Sequence, residues 1–408
     1  MNSGFSKNVL TLLSGSVVAQ IIVVVCAPFM TRIFSVEAIG LYSLIIAFAS
    51  IFTAVLNGRY DMGIVSENDD SLFALLAGSS LVGIFVSLFS AVCFAVYMYC
   101  FQLEYSIGVE AVALFCVLML AMAANNVLTS YNNRVGEYKI ISAVYVVRNS
   151  IQNILPLLLG LVSGSYLCLF VPYVLGQLAG LGWQARSLLR VRHRFEEARG
   201  NVSRTLKKDY RYPLYSAPAM LANSFSYSSV TLVIEALFSI AAVGFYTMST
   251  RILGLPISLV GGNIAKVFYR EASVEFGETG SFRGSVRSSL KLLVPIALVA
   301  LIVMIVFAPP LCALFFGEEW SVAGEYIQIL APMFSAQLVC TALSPALLVR
   351  EKQNLELLIQ MLLVATTFVS LGVTLLAGIS IELFLASICV TKTCVYLFEI
   401  IIVWRYSK

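Results

Sequence analysis

Ile33-Phe34-Ser35-Val36-Glu37-Ala38-Ile39-Gly40-Leu41-Tyr42-Ser43-Leu44 returns 204 residues later as Leu237-Phe238-Ser239-Ile240-Ala241-Ala242-Val243-Gly244-Phe245-Tyr246-Thr247-Met248. The offset is half of the 408-residue chain; five of the twelve positions are identical, and most of the others stay apolar. Each copy lies between two long apolar runs, so the repeated unit is read as a helix, a short turn carrying Gly, and a second helix. A period this long is not that of a solenoid. It fits a membrane bundle duplicated as parallel repeats.

Composition agrees. Apolar residues make up 60% of the chain and charged residues 12%, and the mean hydropathy is +0.91, far from a soluble mix. A hydrocarbon core of about 30 Å takes roughly 20 apolar residues per helix. Twelve such runs are expected, at 9–29, 39–57, 72–98, 109–128, 140–160, 166–183, 214–237, 243–264, 290–315, 325–349, 354–378 and 382–403. The second could continue to Val65. The fold class is therefore all-α and polytopic, about 12 transmembrane helices in two pseudo-symmetric six-helix lobes.

Lys and Arg mark the cytoplasmic side of short loops. With the N-terminus inside, 22 of the 26 basic residues fall on inner segments, and Arg32 alone is outside. Glu37, Glu104, Glu110, Glu318, Glu319, Glu325 and Glu382 are outside, and both termini are cytoplasmic. The first run reads as a retained helix rather than a signal peptide. The one sizeable hydrophilic stretch carries Arg186, Arg190, Arg192, Arg194, Arg199, Arg204, Lys207, Lys208 and Arg211. It divides the chain into an N-lobe at 1–185, a basic cytoplasmic linker at 186–212 and a C-lobe at 213–408. The linker is a topology signal and an anchor to anionic headgroups, too short for a catalytic domain and without a nucleic-acid signature.

The nine cysteines form no CxxC pair and read as helix-packing filler rather than metal ligands or disulfides. The single histidine, His193, lies in the linker, which leaves the spans without a zinc site or a Ser-His pair.

Charges inside spans are costly and face a cavity or a partner. Three cations qualify: Arg148, Arg251 and Lys392. Around Arg148, the residues Ser142, Tyr145, Asn149, Gln152 and Asn153 share one helical face. That stripe lines water or a polar ligand, or else serves interhelical hydrogen bonding. Arg251 precedes Gly254-Leu255-Pro256, where proline loosens the helix, and is either a lining or hinge residue or a buried Arg satisfied by carbonyls. Lys392 either faces a cavity or pairs with Glu399 or Glu356. Arg32, Arg59 and Asp61 stand at the expected cavity mouths. Glu235, Glu356 and Glu399 are the acids within the spans, all near span ends. An excess of intramembrane cations suits an anionic solute.

Several segments carry a resemblance. Leu13-Ser14-Gly15-Ser16, Pro28 to Ser35, Gly40-Leu41-Tyr42, Arg59-Tyr60-Asp61 and Glu67-Asn68-Asp69-Asp70 are similar to the opening of the Wzx-type oligosaccharide flippases. Arg211-Tyr212-Pro213-Leu214-Tyr215-Ser216-Ala217-Pro218-Ala219, Gly244-Phe245-Tyr246, Arg251, Leu255 to Leu259 and Val267-Phe268-Tyr269-Arg270 resemble that family's second lobe. The match covers 10–75 and 205–275; beyond about 290 only the hydropathy profile is shared. The resemblance implies two six-helix lobes around a central cavity, in the superfamily that includes multidrug and toxin extrusion antiporters and lipid II flippases. It implies a bacterial inner-membrane protein that is not an enzyme, needs no cofactor, and moves an undecaprenyl-pyrophosphate-linked oligosaccharide between leaflets with H+ or Na+ as candidate driving ions. Membrane lipids, a polysaccharide polymerase and chain-length machinery are the other expected partners. In this reading Arg148, Arg251 and Lys392 neutralise the diphosphate. A cation-coupled multidrug antiporter would want free buried acids. A membrane-embedded polymerase or glycosyltransferase would want a large outer loop, and no outer loop here exceeds about a dozen residues.

The basic-residue asymmetry predicts topology. A reporter active only in the periplasm should be silent when fused after Lys408 and active when placed beside Glu318; the reverse pattern would overturn the span assignment.

Overall fold

The computed structural model describes residues 3–67, 69–101, 107–191, 201–350, 352–378 and 380–408. Glu104, His193, Arg192, Arg194 and Arg199 lie outside them. The described residues contain no strand, and the chain forms two compact units, Met1–Ser224 and Phe225–Lys408. The division falls within a helix, Ala217–Leu237, later in the chain than the expected loop boundary.

The helices through the first unit are α1 Ser3–Ile33, α2 Val36–Thr53, α3 Tyr60–Ser66, α4 Asp69–Cys100, α5 Glu110–Arg134, α6 Tyr138–Gly160, α7 Leu167–Leu178, α8 Leu181–Leu189 and α9 Val202–Lys208. A π-helical turn, Tyr212–Ser216, leads into α10, Ala217–Leu237. Then come α11 Ile240–Pro256, a second π turn Ile257–Gly261, α12 Gly262–Thr279, α13 Arg283–Phe316, α14 Ser321–Leu343, the single turn Ala346–Val349, α15 Gln353–Ala377 and α16 Ile381–Tyr406.

All twelve expected runs fall on helical segments. Among the described residues nine helices are long and apolar enough to cross a membrane. The remaining three runs fall on α1, whose apolar stretch Val17–Ile33 is shorter, on α6, diluted by Lys139 and Arg148, and on α10, diluted by Asn223 and four serines beyond it. The spans show an inverted surface. Phe85, Leu88, Phe89, Val92 and Val96 of α4 are exposed while its Ser79, Ser87 and Ser90 are fully buried. Apolar groups facing outward and small polar groups packed inward are what a lipid solvent selects.

The repeat is explained at its serines. Ser35 Oγ accepts the Ala38 N–H at 3.2 Å, and Ser239 Oγ accepts the Ala242 N–H at 3.1 Å, so the same residue caps α2 and α11. The second span does not run on to Val65. It ends at Thr53 in a turned segment where Arg59 takes a left-handed φ of 62°. The buried Asn57 holds that segment, donating to the carbonyls of Ser79 at 3.1 Å and Ala123 at 3.4 Å. A Cβ on Gly83 would stand 2.7 Å from the Asn57 amide nitrogen, so only glycine leaves room for it there. Aromatic packing fills the other end of this layer, with Phe94 stacked on Phe115 at 4.5 Å.

Where it is described, the basic linker is structured rather than an open connector. Leu206 of α9 packs with Tyr60, Ile64, Leu72 and Leu75, and the Tyr60 hydroxyl donates to the Leu206 carbonyl at 3.1 Å. Lys208 Nζ pairs with Glu67 at 2.9 Å. That hydrogen bond, together with the Glu67 charge, raises the Lys208 ammonium above the ordinary lysine value. Asp209 lies beside the same Glu67; burial first, and the Glu67 charge second, raise the Asp209 value. One Asp209 oxygen is buried without a partner.

The sign follows from linkage. A carboxyl raised on folding favours the docked form at acidic pH, and that contribution is lost as pH rises through its folded value; the Lys208 contribution is lost only above the ordinary lysine range. Tryptic cleavage after Lys207 or Lys208, measured relative to an unstructured peptide substrate, should therefore speed up as the pH rises above the ordinary carboxylate range, and Asp209→Asn should slow cleavage at neutral pH and flatten that dependence.

Candidate functional site

In the first unit the polar residues form a ladder along α5 and the broken pair α7–α8. The break comes at Ala179-Gly180, where Gly180 has a φ of 84°, a backbone state that glycine adopts without steric cost. Interrupting a helix frees the carbonyls of its last turn, Gln177 among them, and two asparagines one heptad apart on α5 reach across to the pair. Asn125 Nδ2 donates to the Gln177 carbonyl at 2.7 Å, and Asn132 Nδ2 donates to the Gln184 carbonyl at 2.9 Å. Gln184 Nε2 donates to Asn125 Oδ1 at 3.2 Å while its Oε1 accepts from Thr129 at 3.0 Å. Ser187 closes the chain on Asn132 Oδ1 at 2.9 Å.

Arg148 joins the top of this ladder. Its Nη1 donates to Gln177 Oε1 at 3.3 Å, and its guanidinium carbon lies 5.3 Å from the centroid of the Tyr145 ring. Arg148 is half-buried, as are Asn149 and Gln152, and Asn153 is buried. The rest of the expected stripe is largely occupied with backbone: Asn149 donates to the Tyr145 carbonyl and Asn153 to the Asn149 carbonyl, each at 2.8 Å, and Gln152 donates across to the Tyr173 carbonyl at 3.1 Å. Beside α6 and α8 an open cavity of about 450 Å³ is lined by Val147, Gly180, Gly182, Trp183 and Arg186.

Arg32 is exposed at the end of α1. Arg59 reaches Ser216 Oγ at 3.5 Å from its Nε and Met62 Sδ at 2.6 Å from an Nη. Asp61, in the first turn of α3, is half-buried, and burial pushes its carboxyl up against the lowering effects of Arg59 and of the backbone.

In the second unit Arg251 is half-buried, and the helix after its Gly254-Leu255-Pro256 does change form, passing into the π turn Ile257–Gly261. Lys392 is 2% exposed. Its ammonium donates to the Ser226 carbonyl at 2.9 Å and stands 5.0 Å from the Tyr227 ring centroid. Of the two alternatives, the pair with Glu399 or Glu356 is not formed among the described residues, because the lysine stem turns toward α10 rather than along α16 or to α15. Glu399 is buried and takes a hydrogen bond from Cys340. Glu356 is exposed near the start of α15, and Glu235 is half-buried near the end of α10. Tyr227, Tyr396 and Gln337, not singled out in the sequence, join here: the two hydroxyls are 3.1 Å apart, and Gln337 Nε2 donates to Tyr227 at 3.1 Å.

The sequence matches the model of a polysaccharide biosynthesis protein family over residues 29–325, and the chain belongs to that family. No curated protein matches it. Among solved structures it is similar to a multidrug resistance MATE family transporter of the MOP superfamily in an inward-facing conformation, with TM-score 0.68 and 16% identity over 94% of this chain and 92% of that one. It is similar to the lipid II flippase MurJ in an inward closed conformation, with TM-score 0.68 and 10% identity over 95% and 90%. A third similar structure is a MOP superfamily transporter from Pyrococcus furiosus whose binding pocket has reverse polarity, with TM-score 0.61 and 15% identity over 99% and 95%. The chain thus has the MOP fold and is a multi-pass membrane protein.

The ladder makes a stability prediction. Asn125→Leu strands the Gln177 carbonyl and the Gln184 amide, and leaving buried polar groups unpaired costs about 1–3 kcal/mol each. The variant should melt below wild type in detergent, and below Asn149→Leu, whose amide bonds only its own helix; equal melting would remove the ladder's structural role.

Proposed function

We propose that this chain is a flippase for undecaprenyl-pyrophosphate-linked oligosaccharide repeat units, carrying them from the cytoplasmic to the periplasmic leaflet of a bacterial inner membrane for surface polysaccharide biosynthesis. The observation that carries the reading is membership of a polysaccharide biosynthesis family by a chain with the MOP fold and three cations, Arg148, Arg251 and Lys392, within its helices. A diphosphate is the part of such a substrate that costs most to bring across hydrocarbon, and guanidinium groups bind it in a forked, bidentate manner. Arg148 is the first choice for that contact. It is half-buried, its neighbours Asn149, Gln152 and Asn153 spend their amide donors on backbone, and Gln177 orients its guanidinium. Translocation of this kind proceeds by alternating access and makes or breaks no covalent bond.

The substrate and the role of Arg148 are tested together in a strain lacking the gene. Complementation with wild type, Arg148→Lys and Arg148→Ala should restore surface polymer in that order. A charged hydrogen bond is worth about 1.5–3 kcal/mol, so the Ala variant should bind its substrate roughly ten- to a hundredfold more weakly and export less polymer at equal membrane abundance. Equal export by all three would leave Arg148 a packing residue. Normal polymer in the deletion strain together with new drug sensitivity would favour a multidrug antiporter of the same fold.

A further inference from the structure

The start of α13 carries Arg283, Arg287 and Lys291 at steps of four, which brings all three to one side of the helix along about 12 Å of its axis. All three are exposed. At the helical period Val294, Leu298 and Ile305 come to the same side and are exposed as well, while Ser285, Val286, Ser289 and Leu293 face inward and are buried. An apolar side exposed over this length faces hydrocarbon, so the three cations stand where that side leaves the hydrocarbon for the headgroup level. The charged groups around them are largely spent. Arg350 Nε donates to the Tyr406 carbonyl at 2.8 Å, and its guanidinium carbon lies 4.8 Å from the Phe276 ring centroid. Glu275 accepts from the Gly284 N–H at 2.9 Å, the Ser285 N–H at 2.8 Å and the Ser285 hydroxyl at 2.5 Å, which caps α13 and occupies that carboxylate. The guanidinium carbon of Arg283 lies 4.6 Å from the Trp404 ring centroid, a contact that leaves its side-chain N–H donors free. Among the described residues Arg287 and Lys291 have no side-chain partner.

We propose that Arg283, Arg287 and Lys291 form a binding site for the phosphate of an anionic bilayer phospholipid at the membrane boundary of the second unit. A phosphate diester offers charged oxygens that a guanidinium fork meets two at a time, and the neighbouring ammonium adds a point charge. The acyl chains of the same lipid lie along Val294, Leu298 and Ile305. That continuity selects a lipid over a soluble anion, which has no use for an apolar side next to its charge. Trp404 fits the same level, because an indole ring prefers the boundary between hydrocarbon and water. The Glu275 cap holds the first turn of α13 in place, so the cations are presented at fixed spacing. The site lies wholly in the second unit and is independent of the solute the chain carries.

The test is native mass spectrometry of the full chain in detergent, titrated with phosphatidylglycerol or with zwitterionic phosphatidylcholine. Wild type should retain phosphatidylglycerol in preference. A cation next to a charged headgroup contributes roughly fivefold, so Arg287→Gln should weaken phosphatidylglycerol binding about fivefold and Arg287→Gln with Lys291→Gln about thirtyfold, with phosphatidylcholine unaffected. Both side chains are exposed, so the variants should melt with wild type. Lys266→Gln with Arg270→Gln removes the same charge from exposed positions of α12 and should leave the preference in place. Equal retention by wild type and the Arg287, Lys291 double variant would overturn the proposal. An equal loss in the α12 variant would overturn it too, by reducing the effect to total charge. Undecaprenyl diphosphate bound in preference to phosphatidylglycerol, with that preference lost in the double variant, would give the stripe to the transported lipid and overturn its assignment to the bilayer.

Discussion

Inside a hydrocarbon layer there is no water to satisfy a backbone carbonyl, so each place where a helix stops or bends must bring its own donors. That constraint organises the first unit. Asn57 bridges the turned segment after α2 to α4 and α5, and Asn125 and Asn132 do the same for the interrupted pair α7–α8. The breaks that shape the unit exist because α5 supplies amides at the right heights. Gly83 and Gly180 are needed for the same reason, one to let Asn57 in and one to turn the chain at the break.

The second unit handles its irregularities differently. After α11 it is interrupted by a π turn next to Pro256, where the missing N–H already shifts the hydrogen-bond register. Its core is apolar around α14 and α16, with Leu330, Phe384 and Leu385 fully buried, and into that core it places Lys392. The two units thus share a helix-cap plan at Ser35 and Ser239 while differing in polar content. The amides of the first bond one another and backbone carbonyls, whereas in the second Ser226 Oγ and Gln337 Oε1 are buried without a partner.

The spans, the repeat and the cations were legible from residue order because each is a one-dimensional pattern: twenty-residue apolar runs, a half-chain offset, and a charge where hydrocarbon is expected. The Ser35 and Ser239 caps are legible too, since a serine just before an apolar helix accepts its first free N–H. Even the α5 ladder had a trace, as Asn125 and Asn132 repeat the seven-residue spacing of Gln177 and Gln184. What the chain alone could not tell was the partner of each polar side chain. The Arg148 stripe reads identically whether its amides face water or fold back onto carbonyls 4 residues earlier, as Asn149 and Asn153 do. Lys392 and Glu399 share a helix face at i and i+7, and only the packing of α10 against α16 turns the ammonium to Ser226. Residue order fixes which groups enter the membrane; tertiary packing decides their partners, because a hydrogen bond depends on ångström distances between helices that are far apart in sequence.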